Sequence, residues 1–235
     1  MKGKIFNAQE VQAIIAGTKT MFREVIKPYP ILSDDKSYWE FKGVIWAGEN
    51  SSYAKNFGDN AKPVMPDLCP YQVGQKIFVK ERFFEEIHPD SLRKNGKIHY
   101  DASCDYEVIK VDGDGFQIFY KDGTPASPWK SPVHMKQEHS RLTLEITDIK
   151  VERLQDISED DCLDEGCYFA EVFLGDFSKP PRKIFNFSKK NLLKEDGLLD
   201  YKLAFKEYWD ANREKPEEKF KANPFVWVVD FKINK

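Results

Sequence analysis

Four groups of side chains in this sequence have the types and spacing for chemistry. The first lies in "AGTKTMFREV" (16–25), where Lys19, Phe22 and Arg23 follow a glycine. A lysine is a compact charge that holds a phosphate or carbonyl oxygen, and once desolvated it serves as base or nucleophile. Without such a setting it is a solubilising surface residue. In an extended segment Arg23 stands on the same side as Lys19, roughly 13 Å further along at about 3.3 Å per residue. One group would then reach a base and the other a backbone phosphate. Phe22 can neither donate nor accept a hydrogen bond, so it either stacks on a flat base or packs in the core. The second group is Glu165, which closes "EDDCLDEG" (159–166) just before a glycine. There the negative end of a helix dipole disfavours a carboxylate, which suits proton transfer. The bland reading is a solvated acid on an acidic helix. Glu81 and Arg82, at the end of "IFVKER", line a cleft or pair with each other at its rim. Trp129 and Lys130 form a second aromatic-plus-base pair, or the tryptophan covers the end of the fold.

Composition narrows the classes. The chain has 235 residues, 41% hydrophobic and 14% aromatic, enough for a substantial core. No apolar run of about 18 residues occurs, so no membrane partner is expected. The N-terminus lacks the apolar centre of a secretory signal, and an intracellular, cytoplasmic protein is the expectation. Cys69, Cys104, Cys162 and Cys167 form no C-x-x-C pair, and His134 and His139 match no familiar zinc spacing. No metal and no cofactor are expected. A formal net charge of −3 argues against indiscriminate duplex binding. Charge is nevertheless uneven. Residues 159–165 carry five acids, and "KPPRKIFNFSKKNLLK" (179–194) carries six bases and no acid. These are two solvated faces, or the second is a basic flap with Phe185 and Phe187 interleaved.

The elements that position these residues follow from local pattern. Asn7 and Glu10 have capping-box spacing, Val11, Ile14 and Ile15 make one face, and Gly17 is a stop, predicting a helix over about 8–16. Thr20 to Ile26 reads as extended, ended by Pro28. Residues 33–68 are irregular yet hold Tyr38, Trp39, Phe41, Trp46 and Tyr53. Strands are predicted within 75–84, 97–100, 106–111 and 116–120, joined by Asp-Gly turns. "RLTLEITDIKV" (141–151) alternates, with Leu142, Leu144 and Ile146 on one side. Ser158 and Asp161 open a short helix that Gly166 closes, and a second helix spans about 199–212. "NPFVWVVDFKI" reads as a strand buried on both faces. Together these predict an α+β fold: a small, closed or nearly closed mixed barrel with a helical insertion.

Four segments carry a family resemblance: "IIAGTKTMFREVIKP", "CPYQVGQKIFVKERF", "SRLTLEITDIKVERLQDISEDDCLDEG" and "ANPFVWVVDF". In combination they resemble the ASCH-domain proteins of the PUA-like superfamily, most of all members encoded by bacteriophages and prophages. The resemblance implies a single PUA-like domain over 1–235. Its barrel would be formed by about 1–32, 66–151 and 222–235, with an aromatic loop at 33–65 and a helical insertion at about 152–221. It also implies a cleft for a nucleobase, nucleotide or single-stranded RNA, in the cytoplasm of a bacterial host. Some small relatives are amidohydrolases of acylated cytidine, and others are reported as ribonucleases. In family terms Lys19 is a principal functional residue and Glu165 is the acid that pairs with it. The family's usual hydroxyl three residues beyond the lysine is replaced here by Phe22. A second arginine after Arg23 is replaced by Glu24, and the Pro-Arg-Trp after a methionine is replaced by Lys136-Gln137-Glu138.

The leading expectation is therefore a binding protein for a nucleobase, nucleotide or single-stranded RNA. Its site residues are Lys19, Phe22, Arg23, Glu81, Arg82, Trp129 and Lys130. The alternative is an amidohydrolase of N4-acylated cytidine with Lys19 and Glu165 as catalytic residues. A third class is a phage accessory protein whose acidic 159–165 face binds a host protein.

Overall fold

The computed structural model describes residues 1–32, 39–41, 44–46, 68–87, 94–103, 106–110, 116–120, 129–172, 182–187 and 200–234. Most of the aromatic loop region, including Tyr38 and Tyr53, and the outer parts of the basic segment 179–194 lie outside these residues. In chain order the elements begin with β1 (Lys2–Ile5), α1 (Ala8–Ala16), β2 (Met21–Val25), β3 (Ile31–Leu32), β4 (Trp39–Phe41) and β5 (Val44–Trp46). Next come β6 (Lys76–Lys80), β7 (Phe83–Ile87), β8 (Lys94–Tyr100), β9 (Tyr106–Lys110) and β10 (Phe116–Tyr120). The chain closes with β11 (Thr143–Arg153), α2 (Glu159–Asp164), β12 (Tyr168–Val172), β13 (Arg182–Asn186), α3 (Tyr201–Ala211) and β14 (Phe225–Ile233). The fold is α+β with open sheets. No described helix is long and apolar enough to cross a membrane.

The chain divides into two compact units. One comprises Met1–Gly17, Lys76–Glu145 and Ile233–Lys235, the other Thr18–Gln75 and Ile146–Lys232.

In the first unit β1 runs parallel to β6, with Lys2 beside Ile77 and Ile5 beside Lys80. The start of β11 is antiparallel to β6. The hairpins β7–β8 and β9–β10 are antiparallel. Helix α1 begins with a complete capping box. The Asn7 side chain accepts from the Glu10 N–H at 2.9 Å, and the Glu10 carboxylate accepts from the Asn7 N–H at 2.8 Å. It stops at Gly17, whose φ of 75° is the left-handed conformation that only glycine adopts without strain. Phe6, Val11, Ile14, Ile77, Val79 and Leu144 are buried in this unit.

The second unit holds the functional candidates. Strand β14 is antiparallel to β2, with Asp230 beside Met21, Val228 beside Arg23 and Val226 beside Val25. Because side chains alternate along a strand, one face of this pair presents Met21, Arg23, Val25, Val226, Val228 and Asp230. The other presents Phe22, Glu24, Trp227, Val229 and Phe231. The continuous apolar run in β14 is explained directly, since Phe225 to Val229 are buried on both faces. Helices α2 and α3 pack on the first face, around a core of Met21, Val25, Leu154, Ile157, Cys162, Phe205, Trp209, Val226 and Val228. Phe187, from the basic segment, stacks on Tyr208 at 4.1 Å within this packing. Phe205 is fully buried at its centre. Phe205→Ala is expected to cost about 3–5 kcal/mol, read as a lower midpoint in urea unfolding with an unchanged slope.

Candidate functional site

The site grows from two local devices. Ser158 caps α2, its hydroxyl accepting from the Asp161 N–H while the Asp161 carboxylate accepts from the Ser158 N–H. At the other end Gly166, with φ 92°, turns the chain sharply. Glu165 sits between them as the C-terminal cap residue of α2. Opposite, the chain enters β2 through Thr20, whose N–H donates to the Asp164 carbonyl at 2.8 Å and whose hydroxyl donates to the Asp164 carboxylate at 3.0 Å. These contacts bring position 19 against position 165 across 146 residues of sequence.

Lys19 and Glu165 meet. The ammonium donates to Glu165 Oε2 at 2.7 Å and to the Glu165 carbonyl at 3.0 Å, with the lysine side chain 0% and the glutamate 4% exposed. Arg23 converges on the same carboxylate, NH1 to Oε1 at 3.2 Å. Its NH2 donates to Asp161 at 2.9 Å and to Glu152 at 3.4 Å. The guanidinium is buried, 5.9 Å from the centre of the Phe205 ring. The 13 Å separation expected along the strand is thus closed by two long side chains that grip one carboxylate, instead of reaching two parts of a ligand. Glu152 and Asp161 keep 30% and 28% exposure, so the carboxylates form the outer layer of the cluster and the cations its floor.

Among the described residues, two polar atoms of this face are buried without a hydrogen-bond partner: Arg23 Nε, a donor, and Asp230 Oδ1, an acceptor. In the β2–β14 register the two residues are diagonal neighbours, about 7–8 Å apart at ordinary sheet spacing. Native proteins leave few such atoms unpaired, and each needs an explanation. Lys150 approaches the other side of Asp230 at 3.7 Å. Burial raises the Asp230 carboxyl above the ordinary carboxylate range. Lys150 opposes that effect, while Asp148, Asp161 and Asp164 add to it. Glu152 is raised as well, by burial first, with Arg23 acting against it and Asp161 with it.

The remaining sequence candidates go elsewhere. Phe22, 3% exposed, is core: its ring meets Tyr71 edge-on at 5.3 Å and Phe231 at 6.1 Å, on the face of β2 away from Arg23. Glu81, Arg82, Trp129 and Lys130 belong to the other unit. There Glu81 is bound by the Arg141 guanidinium at 2.8 and 2.9 Å, so it does not pair with Arg82. Arg82 lies 3.9 Å from Asp101 and 5.7 Å over the Trp129 ring. Lys130 pairs with Glu85 at 3.6 Å and lies over Phe83. Of the five acids in 159–165, Asp161 and Glu165 turn inward to the cations. Glu152 and Asp230 were invisible as site residues. They sit in strand patterns that read as structural, and only pairing with β2 gives them neighbours. Among the described residues no group of three or more His, Cys, Asp or Glu side chains is placed to hold a metal ion.

No family model, no curated protein and no solved structure matches the chain. The site therefore rests on its own geometry.

Two measurements check this arrangement. Breaking a buried ion pair from the side that strands a charge costs roughly 3–5 kcal/mol. Glu165→Leu, which strands Lys19, is expected to lose about that much in chemical denaturation. Lys19→Met is expected to lose less, because Arg23 still neutralises Glu165. The second concerns pH. A carboxyl raised in the folded state binds its proton more tightly there, so its charged form costs stability. That cost is absent below pH about 4 and grows as pH rises through the raised folded value. Asp230→Asn is therefore expected to raise the melting temperature at pH 7–8 and to leave it nearly unchanged at pH 3–4.

Proposed function

We propose that the protein binds a nucleobase or nucleoside at the part-exposed Glu152–Asp161 edge of the charge cluster built on Arg23 of β2, in a PUA-like fold of the ASCH type. The observation that carries this reading is the unpaired donor and acceptor, Arg23 Nε and Asp230 Oδ1, on one face beside the Lys19–Glu165 pair. A cytosine- or adenine-type edge offers the complement: an exocyclic amine for the carboxylate and an acceptor atom for the guanidinium. Charge selects among the ligands expected from sequence. Lys19, Arg23 and Lys150 face Glu152, Asp161, Glu165 and Asp230, three cations against four carboxylates. A surplus of negative charge repels phosphate, which ranks a free base or nucleoside above a nucleotide or single-stranded RNA. The same surplus disfavours a ribonuclease. A host-protein partner gains little support from α2, two of whose acids are engaged internally.

A second reading has its own observation. A lysine ammonium 2.7 Å from a buried carboxylate has the contact that proton transfer between the two would need, as an amidohydrolase of N4-acylated cytidine requires. Water would add to the acyl carbon, the C–N bond would break, and the freed amine would take a proton, leaving cytidine and a carboxylic acid. Against it stands Phe22, which supplies no hydroxyl and faces away from Arg23.

Thermal-shift titration with nucleosides, modified nucleosides, nucleotides and short RNAs decides the first reading. At ligand about a hundredfold above Kd the linkage is worth about 2.7 kcal/mol, several degrees for a chain of this size. Amino-bearing nucleosides are expected to produce it, and Arg23→Lys, which lacks Nε, is expected to abolish it. Silence across the panel overturns the proposal. For the second reading, chromatography of N4-acetylcytidine incubated with protein would show cytidine released by the native chain and none by Lys19→Ala.

A further inference from the structure

The exposed side of the charge cluster differs from its floor. The Lys19 and Arg23 side chains are fully buried, so a ligand at this edge meets carboxylates first. Glu152, Asp161 and Asp230 keep 30%, 28% and 27% exposure, and Asp148 keeps 53%. Asp148 and Asp164 both act on Asp230. Counted with Glu152, Asp161, Glu165 and Asp230, they set six carboxylates against the three cations Lys19, Arg23 and Lys150. All of these residues belong to the second unit. Lys150 shows what the edge attracts: its half-exposed ammonium lies 3.5 Å from Asp148 and 3.7 Å from Asp230. We infer that the ligand is a cationic nucleobase, alkylated on a ring nitrogen so that its amine-bearing edge is an amidinium at neutral pH. This inference rests on the binding reading above and names the substrate class of that same site.

Two features favour a charged base over a neutral one. Anions are crowded here. The Glu152 carboxyl is raised by burial first, with Arg23 opposing and Asp161 adding; the Asp230 carboxyl is raised by burial, with Lys150 opposing and three aspartates adding. A positive ligand relieves that crowding, whereas a neutral one leaves it. The second feature is Arg23, whose side chain is 0% exposed and is aimed into the edge, NH2 donating to Asp161 and Glu152. Its Nε has no hydrogen-bond partner among the described residues. Alkylation at a ring nitrogen turns the exocyclic amine into a charged donor and still leaves the base an acceptor, O2 in 3-methylcytosine and N7 in 1-methyladenine. The donor and acceptor required by the unpaired atoms are therefore kept. A charged N–H on a carboxylate makes a hydrogen bond roughly twice as strong as a neutral one, and the surrounding negative charge adds an attraction that salt screens.

Isothermal titration calorimetry on the full chain tests this with matched isomers. 3-Methylcytidine and 1-methyladenosine carry the charge; 5-methylcytidine and N6-methyladenosine carry the same methyl group without it. The cationic isomers are expected to bind at least about tenfold more tightly at low salt, an advantage that shrinks between about 50 and about 500 mM sodium chloride. Glu152→Gln keeps shape and removes one charge, and is expected to cut the cationic preference about three- to tenfold while leaving the neutral isomers nearly unchanged. Lys150→Met removes the competing ammonium and is expected to tighten cationic ligands by about three- to tenfold, a gain that damage to the fold does not produce. Circular dichroism melts establish that both variants are folded. Neutral isomers binding as tightly as cationic ones overturn this inference and leave the binding proposal standing. Heat from no nucleoside at all overturns both. Choline bound as tightly as 3-methylcytidine also overturns the inference, because the edge would then hold charge without a base.

Discussion

Burial of the Lys19 ammonium is the constraint on which the second unit depends. An ammonium removed from water is tolerable only beside an anion and with its protons engaged. Glu165 meets both needs through its carboxylate and its own carbonyl. That carboxylate is in place because α2 ends where it does, and α2 ends there because Gly166 adopts a conformation that residues with a side chain adopt only with strain. The Ser158–Asp161 capping box, the turn at Gly166 and the Thr20 contacts with Asp164 therefore act on one pair of charges. Arg23 joins the pair and extends it to Asp161 and Glu152, so a helix cap and a strand start become a single electrostatic unit.

Strand alternation decides what each neighbouring residue can do. Arg23 belongs to the packed face with α2 and α3, whereas Phe22 and Glu24 belong to the opposite one. Three consecutive residues thus serve a charge cluster, a core and a pocket wall. Glu24 stands where the resemblance leads one to expect an arginine, which along the sequence reads as a loss of positive charge near Lys19. Across the strand it is a separate matter, because Glu24 answers to Tyr71 and lines a pocket with Trp227.

Burial on the polar face of β2 carries a cost. A guanidinium with one N–H unused, a carboxylate oxygen without a donor and two carboxyls raised by burial all cost free energy in the closed state. Under the proposed binding reading, a ligand that paired with these atoms would offset that cost.

Local physical chemistry was enough to read most elements from the sequence. The capping pairs Asn7–Glu10 and Ser158–Asp161, the stops at Gly17 and Gly166, the alternation through Leu144 and Ile146 and the apolar run of β14 each depend on residues a few positions apart. The pairing of Lys19 with Glu165 was legible only through the resemblance, because no local pattern links residues 146 positions apart. Tertiary structure alone decided the rest. It sent Phe22 into the core and brought Glu152 and Asp230 to Arg23. It also put Glu81, Arg82, Trp129 and Lys130 in a different unit, and it opened a pocket behind Glu24. The reason is geometric: propensity and capping act along the chain, whereas a site is made by strand register and helix packing, which set neighbours that sequence distance does not encode.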